Sequence, residues 1–202
     1  MKERLYYLDK KFQFVLKDLN LEPRDVLRQA QLPPDFFEQK FLPLTPADYF
    51  RFWGVLEKEA PLKAFPLVLA QAVTVESFNP PIFACFCSEN LRSGLDRLAH
   101  YKDLVAPIQF AVYHNSSLTS VALYPLSELG TCPVSILAFE FAFLVRLARL
   151  ATRKHIVPEA IYSPYTLPEQ PLYEDFFGVK IEKSKINQIV FSSHDASIPF
   201  LS

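Results

Sequence analysis

The residues from Pro133 to Lys154, PVSILAFEFAFLVRLARLATRK, form the longest strongly apolar run that can make one continuous helix. At about 100° per residue, Arg146, Arg149 and Arg153 fall on one side with Ser135, while Ile136, Leu144, Leu147 and Ala151 fall on the other. A helix divided in this way packs one face inward and turns its arginines to solvent or to a subunit contact. Glu140 breaks the pattern, because it lies on the apolar side between Phe139 and Phe141. Burying a bare carboxylate is costly, so packing over that face requires an ion pair or hydrogen bond from a neighbouring element, protonation, or a bound ligand. Glu140 and the arginines also leave far fewer than the ~20 uninterrupted apolar residues that a membrane span needs.

Phe12, Val15, Leu16 and Leu19 repeat with helical spacing and predict a helix that stops near Asn20. A second short helix begins around Pro23, carries Val26, Leu27 and Ala30 inward, and ends before Pro33-Pro34. Thr45-Pro46-Ala47-Asp48 is a strong helix start with the makings of a capping box, followed by an inward face of Tyr49, Phe50, Trp53, Leu56 and Ala60. Further helices are expected from near Pro66, after an Asn79 cap, and from Ser88, where Leu91, Leu95, Leu98, Tyr101 and Val105 keep the period.

The pattern changes at Pro107. Segments 108–113 and 118–124 are rich in strand formers and flank a four-residue loop, 114–117, which reads as a hairpin. After the long helix come a short strand at Ala160-Ile161-Tyr162, a brief helix closed by Gly178, and strands at 179–182 and 188–191. The order predicts an α+β fold: a helical N-terminal half, then a small, mainly antiparallel sheet packed against the long central helix. Without an internal repeat or a low-complexity linker, residues 1–202 read as one domain.

With 21 basic and 22 acidic residues the chain offers no global positive field for nucleic acid. The two short N-terminal helices have helix-turn-helix spacing, but Asp18, Glu22 and Asp25 crowd the would-be reading face. The N-terminus lacks the h-region of a secretory signal, so a cytoplasmic location is the default. Cys85, Cys87 and Cys132 cannot all pair and read as reduced thiols. The four histidines are scattered singly, without metal-ligand spacing, and no cofactor motif is present. There is no Gly-x-Ser-x-Gly, and four glycines leave no phosphate-cradling loop, so an enzyme is not expected.

Five fragments, in this order and spacing, resemble the N-terminal effector-binding domain of the AraC family of bacterial transcription regulators, in its mixed α/β, arabinose-binding-like form. They are VLRQAQLPPDFF (26–37), LTPADYFRFWGVLEKEA (44–60), SENLRSGLDRLAHYKDLV (88–105), EFAFLVRLARLATRKHIVPEAIY (140–162) and, most specifically, FFGVKIEKSKINQIVFSSHDASIPF (176–200). Two departures stand out. Gln31 occupies the position where the family usually has glycine before Leu-Pro, and segment 61–87 carries Pro66, Pro80 and Pro81 in place of the family's glycines. The resemblance implies a sensor for a small-molecule effector, as a homodimer, with DNA contacted only through a helix-turn-helix pair that would follow Ser202.

A pocket for an effector is mostly apolar with a few placed polar groups, and it forms where layers meet. The chain has 19 Phe and 9 Tyr, which suits an apolar or aromatic effector. The candidate binding residues are Phe83, Phe86, Tyr101, Tyr113, Tyr124, Glu140 and Tyr162. A module that only dimerises or docks a partner is the competing reading.

Overall fold

Prolines and short polar caps set where the helices of the first half begin. The computed structural model describes residues 5–8, 10–39, 43–126 and 131–201. Its helices there are α1 (Phe12–Asp18), α2 (Pro23–Gln29), α3 (Pro46–Glu59), α4 (Phe65–Ala72), α5 (Pro80–Phe86) and α6 (Leu91–Tyr101). The capping box of α3 is present: Thr45 Oγ1 accepts from the Asp48 amide at 3.1 Å, and Asp48 Oδ2 accepts from the Thr45 amide at 3.2 Å. Asn79 Oδ1 accepts from the Ile82 amide at 3.0 Å and starts α5.

Helix α6 departs from expectation at both ends. Its cap is Asn90, whose Oδ1 accepts from the Ser93 amide at 3.1 Å, two residues beyond the expected start at Ser88. It ends at Tyr101, where the chain tightens into a 3₁₀ turn, Lys102–Leu104. The inward stripe Leu91, Leu95, Leu98 therefore continues onto Lys102, which is buried, while Tyr101 is 40% exposed.

The second half contains β1 (Ile108–His114), β2 (Leu118–Pro125), α7 (Val134–Thr152), β3 (Ala160–Ser163), α8 (Gln170–Phe177), β4 (Ile181–Lys183), β5 (Asn187–Ser192) and α9 (Ser193–Ala196). The hairpin loop is 115–117, one residue shorter than expected, because His114 stays in β1 opposite Thr119. Its imidazole is held from both sides, by Thr119 Oγ1 at 3.1 Å and Asp96 Oδ1 at 2.9 Å. Asn115 Oδ1 closes the loop by accepting from the amides of Ser117 and Leu118, each at 2.8 Å.

Strand order is β1-β2-β5-β3-β4. Neighbours run antiparallel except β3 and β4, a parallel pair joined through α8 as such pairs require. Gly178 ends α8 at φ 84°, a left-handed conformation that favours glycine, and Val157 Cγ1 stands 3.3 Å from where a β-carbon would sit, a tight contact that a side chain would add to the strain. Phe110, Val121, Leu123, Ile161, Ile189 and Phe191 fill the inner face of the sheet and join one continuous hydrophobic core with the helices.

Helix α7 is buried almost all round; of the three arginines on the expected outer side, only Arg153, at its C-cap, is exposed. Arg146 and Arg149 are half-buried clamps. Arg146 Nη2 donates to the Val73 carbonyl at 3.4 Å, at the end of α4. Arg149 Nε donates to the Ile156 carbonyl at 2.8 Å, and its guanidinium lies over the Phe176 ring at 4.7 Å. The pattern in sequence records that these positions are polar, not that carbonyls wait beside them. At the other end, Glu57 Oε2 of α3 accepts from the Ser135 amide at 3.1 Å and satisfies the first turn of α7. Among the described residues no helix is long and apolar enough to cross a membrane.

Gln31, at the position noted above as usually glycine, adopts φ 55° just after α2. A side chain in the left-handed region costs ~1–2 kcal/mol, part of which glycine would return as greater freedom of the unfolded chain. Gln31→Gly is accordingly expected to stabilise the fold by roughly 0.5–1 kcal/mol, read as a higher urea midpoint at unchanged m-value.

Candidate functional site

The carboxylate that interrupts the apolar run has a partner. Lys102 Nζ donates to Glu140 Oε1 at 2.6 Å, with the two side chains only 4% and 3% exposed. The same ammonium lies 4.9 Å from the centre of the Phe110 ring on β1. Three elements thus meet at one charge pair: α7, the 3₁₀ turn that ends α6, and the edge of the sheet. The 3₁₀ turn is what aims Lys102 inward, and its aliphatic stem continues the leucine stripe of α6. Glu140 Oε2 is buried and has no hydrogen-bond partner among the described residues.

Polar groups and aromatic rings surround that oxygen. The Tyr49 hydroxyl is pushed up from its ordinary range by burial and then by the Glu140 charge, with the Trp53 indole N–H pulling the other way. The Cys132 thiol is pushed up to about 12, by burial first and then by the charges of Glu140 and Glu57. Both stay protonated at neutral pH, and the Cys132 thiol donates to the Pro133 carbonyl at 3.5 Å. A run of ring contacts leads past them: Tyr6 to Tyr49 at 5.7 Å, Tyr49 to Trp53 at 6.4 Å, Trp53 to Phe139 at 5.7 Å, and Phe139 to Phe143 at 5.9 Å. The arrangement is a closely packed, apolar and aromatic region around one buried carboxylate oxygen without a hydrogen-bond partner among the described residues.

The seven residues proposed from sequence do not converge. Glu140 lies in this buried centre. Phe86 is buried elsewhere, against Phe78 at 5.4 Å and Phe200 at 6.5 Å. Phe83 and Tyr101 are 49% and 40% exposed, on α5 and at the end of α6. Tyr113, Tyr124 and Tyr162 share the outer face of the sheet, opposite to the core. Nothing in the candidate set from sequence points to Lys102, Tyr49, Trp53 or Cys132. Lys102 was detectable, since it stands four residues after Leu98 and seven after Leu95 on the inward stripe.

A separate cavity of about 300 Å³ lies between α1, α2 and residues 34–38, lined by Gln13, Lys17, Arg24, Leu27, Phe37 and Glu38 among others. It shares no residue with the Glu140 centre.

A family described as the arabinose-binding domain of AraC transcription regulator, N-terminal, matches residues 21–200. The chain belongs to this family. The match covers every helix and strand of this arabinose-binding-type domain except α1. The crystal structure of the transcriptional regulator CdpR from Pseudomonas aeruginosa superposes on the domain with a TM-score of 0.59 at 11% identity, over 96% of this chain and 58% of that one. The likeness at that identity is one of fold, and the domain spans less than two thirds of the CdpR chain. No curated protein shows significant sequence similarity to the domain.

The buried Cys85 thiol and the half-buried Cys132 thiol make the domain less stable in alkali. Cys132 and Cys85, the latter raised by burial and eased by Arg97, release their protons at about 12 when folded, against an ordinary 9.0. A raised folded value means full stability below the unfolded value and loss above it, because the unfolded chain alone ionises there. Stability is expected to hold up to pH near 9 and to fall progressively toward pH 12, measured by denaturant unfolding across that window. A domain carrying Cys85→Ala and Cys132→Ala should show a shallower decline.

Proposed function

We propose that the chain is the effector-binding half of an AraC-type transcription regulator and that the effector binds at the Glu140 centre. The observation that carries this reading is the unused Glu140 Oε2 oxygen, buried among aromatic rings in a domain of a ligand-sensing family. Leaving a carboxylate oxygen buried without a donor costs about 1–3 kcal/mol or more, a cost that a ligand's hydrogen bond would remove. Lys102 already balances the charge, so the effector is a neutral molecule with an O–H or N–H donor and an apolar or aromatic body, not a cation.

The connection to a DNA-reading unit follows from what holds the end of the domain. The Phe200 amide donates to the Glu89 carbonyl at 2.9 Å, just ahead of α6, and the Leu201 amide donates to Ala151 near the end of α7 at 2.8 Å. The two helices that bring Lys102 and Glu140 together thus also grip segment 199–201. An effector that prefers one relation of α6 to α7 would shift the position of that segment, and with it whatever follows. The domain acts in the cytoplasm in this reading, and it regulates rather than catalyses.

The reading is tested by a thermal-shift screen of neutral hydroxylated aromatic and aliphatic compounds against wild type and the double variant Lys102→Met/Glu140→Leu. The double variant removes the acceptor yet keeps an apolar pair of similar volume, a type of exchange that folded proteins tolerate. Compounds that stabilise wild type are expected to lose roughly tenfold or more in affinity for the double variant, the worth of one hydrogen bond to a charged group. Equal stabilisation of both proteins would remove the effector from the Glu140 centre.

A further inference from the structure

We infer that Arg146 and Arg149 of α7 form a binding site for a phosphate group, either the inorganic ion or a small phosphate monoester, apart from the centre that Glu140 occupies. The two residues stand one turn apart on the same side of the helix, where β-carbons lie about 5–6 Å from each other. Both are half-buried, and neither forms an ion pair among the described residues. Cations at comparable depth elsewhere in the domain have a carboxylate: Lys102 has Glu140, and Arg51 has Asp48. The acids near these arginines are engaged with other groups. Glu76, just beyond α4, is held below the ordinary carboxylate range by its own backbone amide and then by Thr74. Glu174 of α8 is held there by Gln170 and then by the Ile181 amide.

What surrounds the arginines orients them without neutralising them. The Val73 carbonyl accepts from Arg146 Nη2 at 3.4 Å, and the carbonyls of Ile156 and Phe177 accept from Arg149 Nε at 2.8 Å and Nη2 at 3.5 Å. The Phe176 ring lies against the Arg149 guanidinium. Carbonyls and rings offer partial charge only, so two net positive charges remain side by side. Arg149 is accordingly held below its ordinary range, by burial first and then by the charge of Arg146. Arg146 Nε is buried with no acceptor among the described residues. Each guanidinium carries five N–H groups, and Arg146 uses one and Arg149 two among the described residues, so most of the donors stay open.

Charge and shape together select the missing partner. A carboxylate brings one charge and two oxygens, which a single guanidinium fork satisfies. A phosphate group brings about −1.5 to −2 at neutral pH and three strong acceptor oxygens, enough to engage two forks at once. Arginine suits this task better than lysine because its planar head meets the oxygens in a fixed geometry, and here carbonyls and a ring already hold the heads in place. The half-buried position between the end of α4 and α8 favours a small phosphate.

Calorimetric titration of the chain with sodium phosphate, at an ionic strength held constant with chloride, tests the site. Wild type is expected to take up phosphate saturably, with a dissociation constant of the order of 0.1–10 mM for so small a ligand on a partly open site. Arg146→Gln should weaken binding tenfold or more, and Arg146→Lys, which keeps the charge and loses the fork, should fall between. Arg28→Gln, which removes the same charge from an exposed position on α2, should leave binding unchanged. If near-UV circular dichroism shows Arg146→Gln unfolded, Arg146→Lys against wild type carries the comparison. Glycerol phosphate that binds at least as tightly as inorganic phosphate assigns the site to monoesters, and weaker binding assigns it to the free ion. Absence of saturable uptake by wild type overturns the inference, as does uptake indifferent to both Arg146 variants or acetate binding more tightly than phosphate. Neutral compounds that bind the Glu140 centre should bind Arg146→Lys as they bind wild type, so this inference and the effector reading fail separately.

Discussion

The Lys102–Glu140 pair sets the terms for the rest of the domain. Two opposite charges only 4% and 3% exposed lose their water, and their attraction compensates for that loss only if the geometry is held closely. Holding it requires the 3₁₀ turn after α6, the Phe110 ring of β1, and the rotation of α7 to stay in one relation. Other interactions serve that requirement. Glu57 fixes the start of α7, Arg146 and Arg149 fix its flanks to carbonyls of neighbouring segments, and Leu201 is tied to its last turn. A long apolar helix surrounded by packing could otherwise rotate or slide at little cost, since one leucine resembles another.

Much of the architecture is written locally in the sequence. Thr45, Asn79 and Gly178 end or begin helices through hydrogen bonds and backbone freedom that involve only a few neighbouring residues. The alternation in segments 108–113 and 188–191 is likewise visible without knowing the fold. What alternation cannot say is which of its two faces turns inward, and so it offers Tyr113, Tyr124 and Tyr162 as pocket candidates although they stand on the side of the sheet away from Glu140. The arginines of α7 were hidden for a related reason: a guanidinium that satisfies a carbonyl reads in sequence like one that meets solvent. Helix α9 is four residues long and shows no period to detect.

The candidate site divides in the same way. Glu140 was conspicuous because a carboxylate among phenylalanines violates the cost of burying charge, and that rule needs no structure. Its partner lies 38 residues earlier in the chain and looks like an ordinary surface lysine unless the leucine stripe is followed one step further. Tyr49 and Trp53 read in sequence as the inward face of a helix and Cys132 as a reduced thiol, and only the packing of α3 beside α7 brings them to Glu140. In the function proposed above, the pair holds the resting fold while its unpartnered oxygen receives the ligand. The segments that carry the pair also hold the end of the domain, through Glu89 just ahead of α6 and Ala151 in the last turn of α7.

The most direct test of this dependence is a double-mutant cycle on the pair, with unfolding free energies from denaturant titration of wild type, Lys102→Met, Glu140→Leu and the double variant. If the pair governs the fold as described, each single variant leaves an uncompensated buried charge and loses about 3–5 kcal/mol, while the double variant loses far less than the sum. Two small and additive losses would contradict it, since they would mean that neither charge is buried in the other's company.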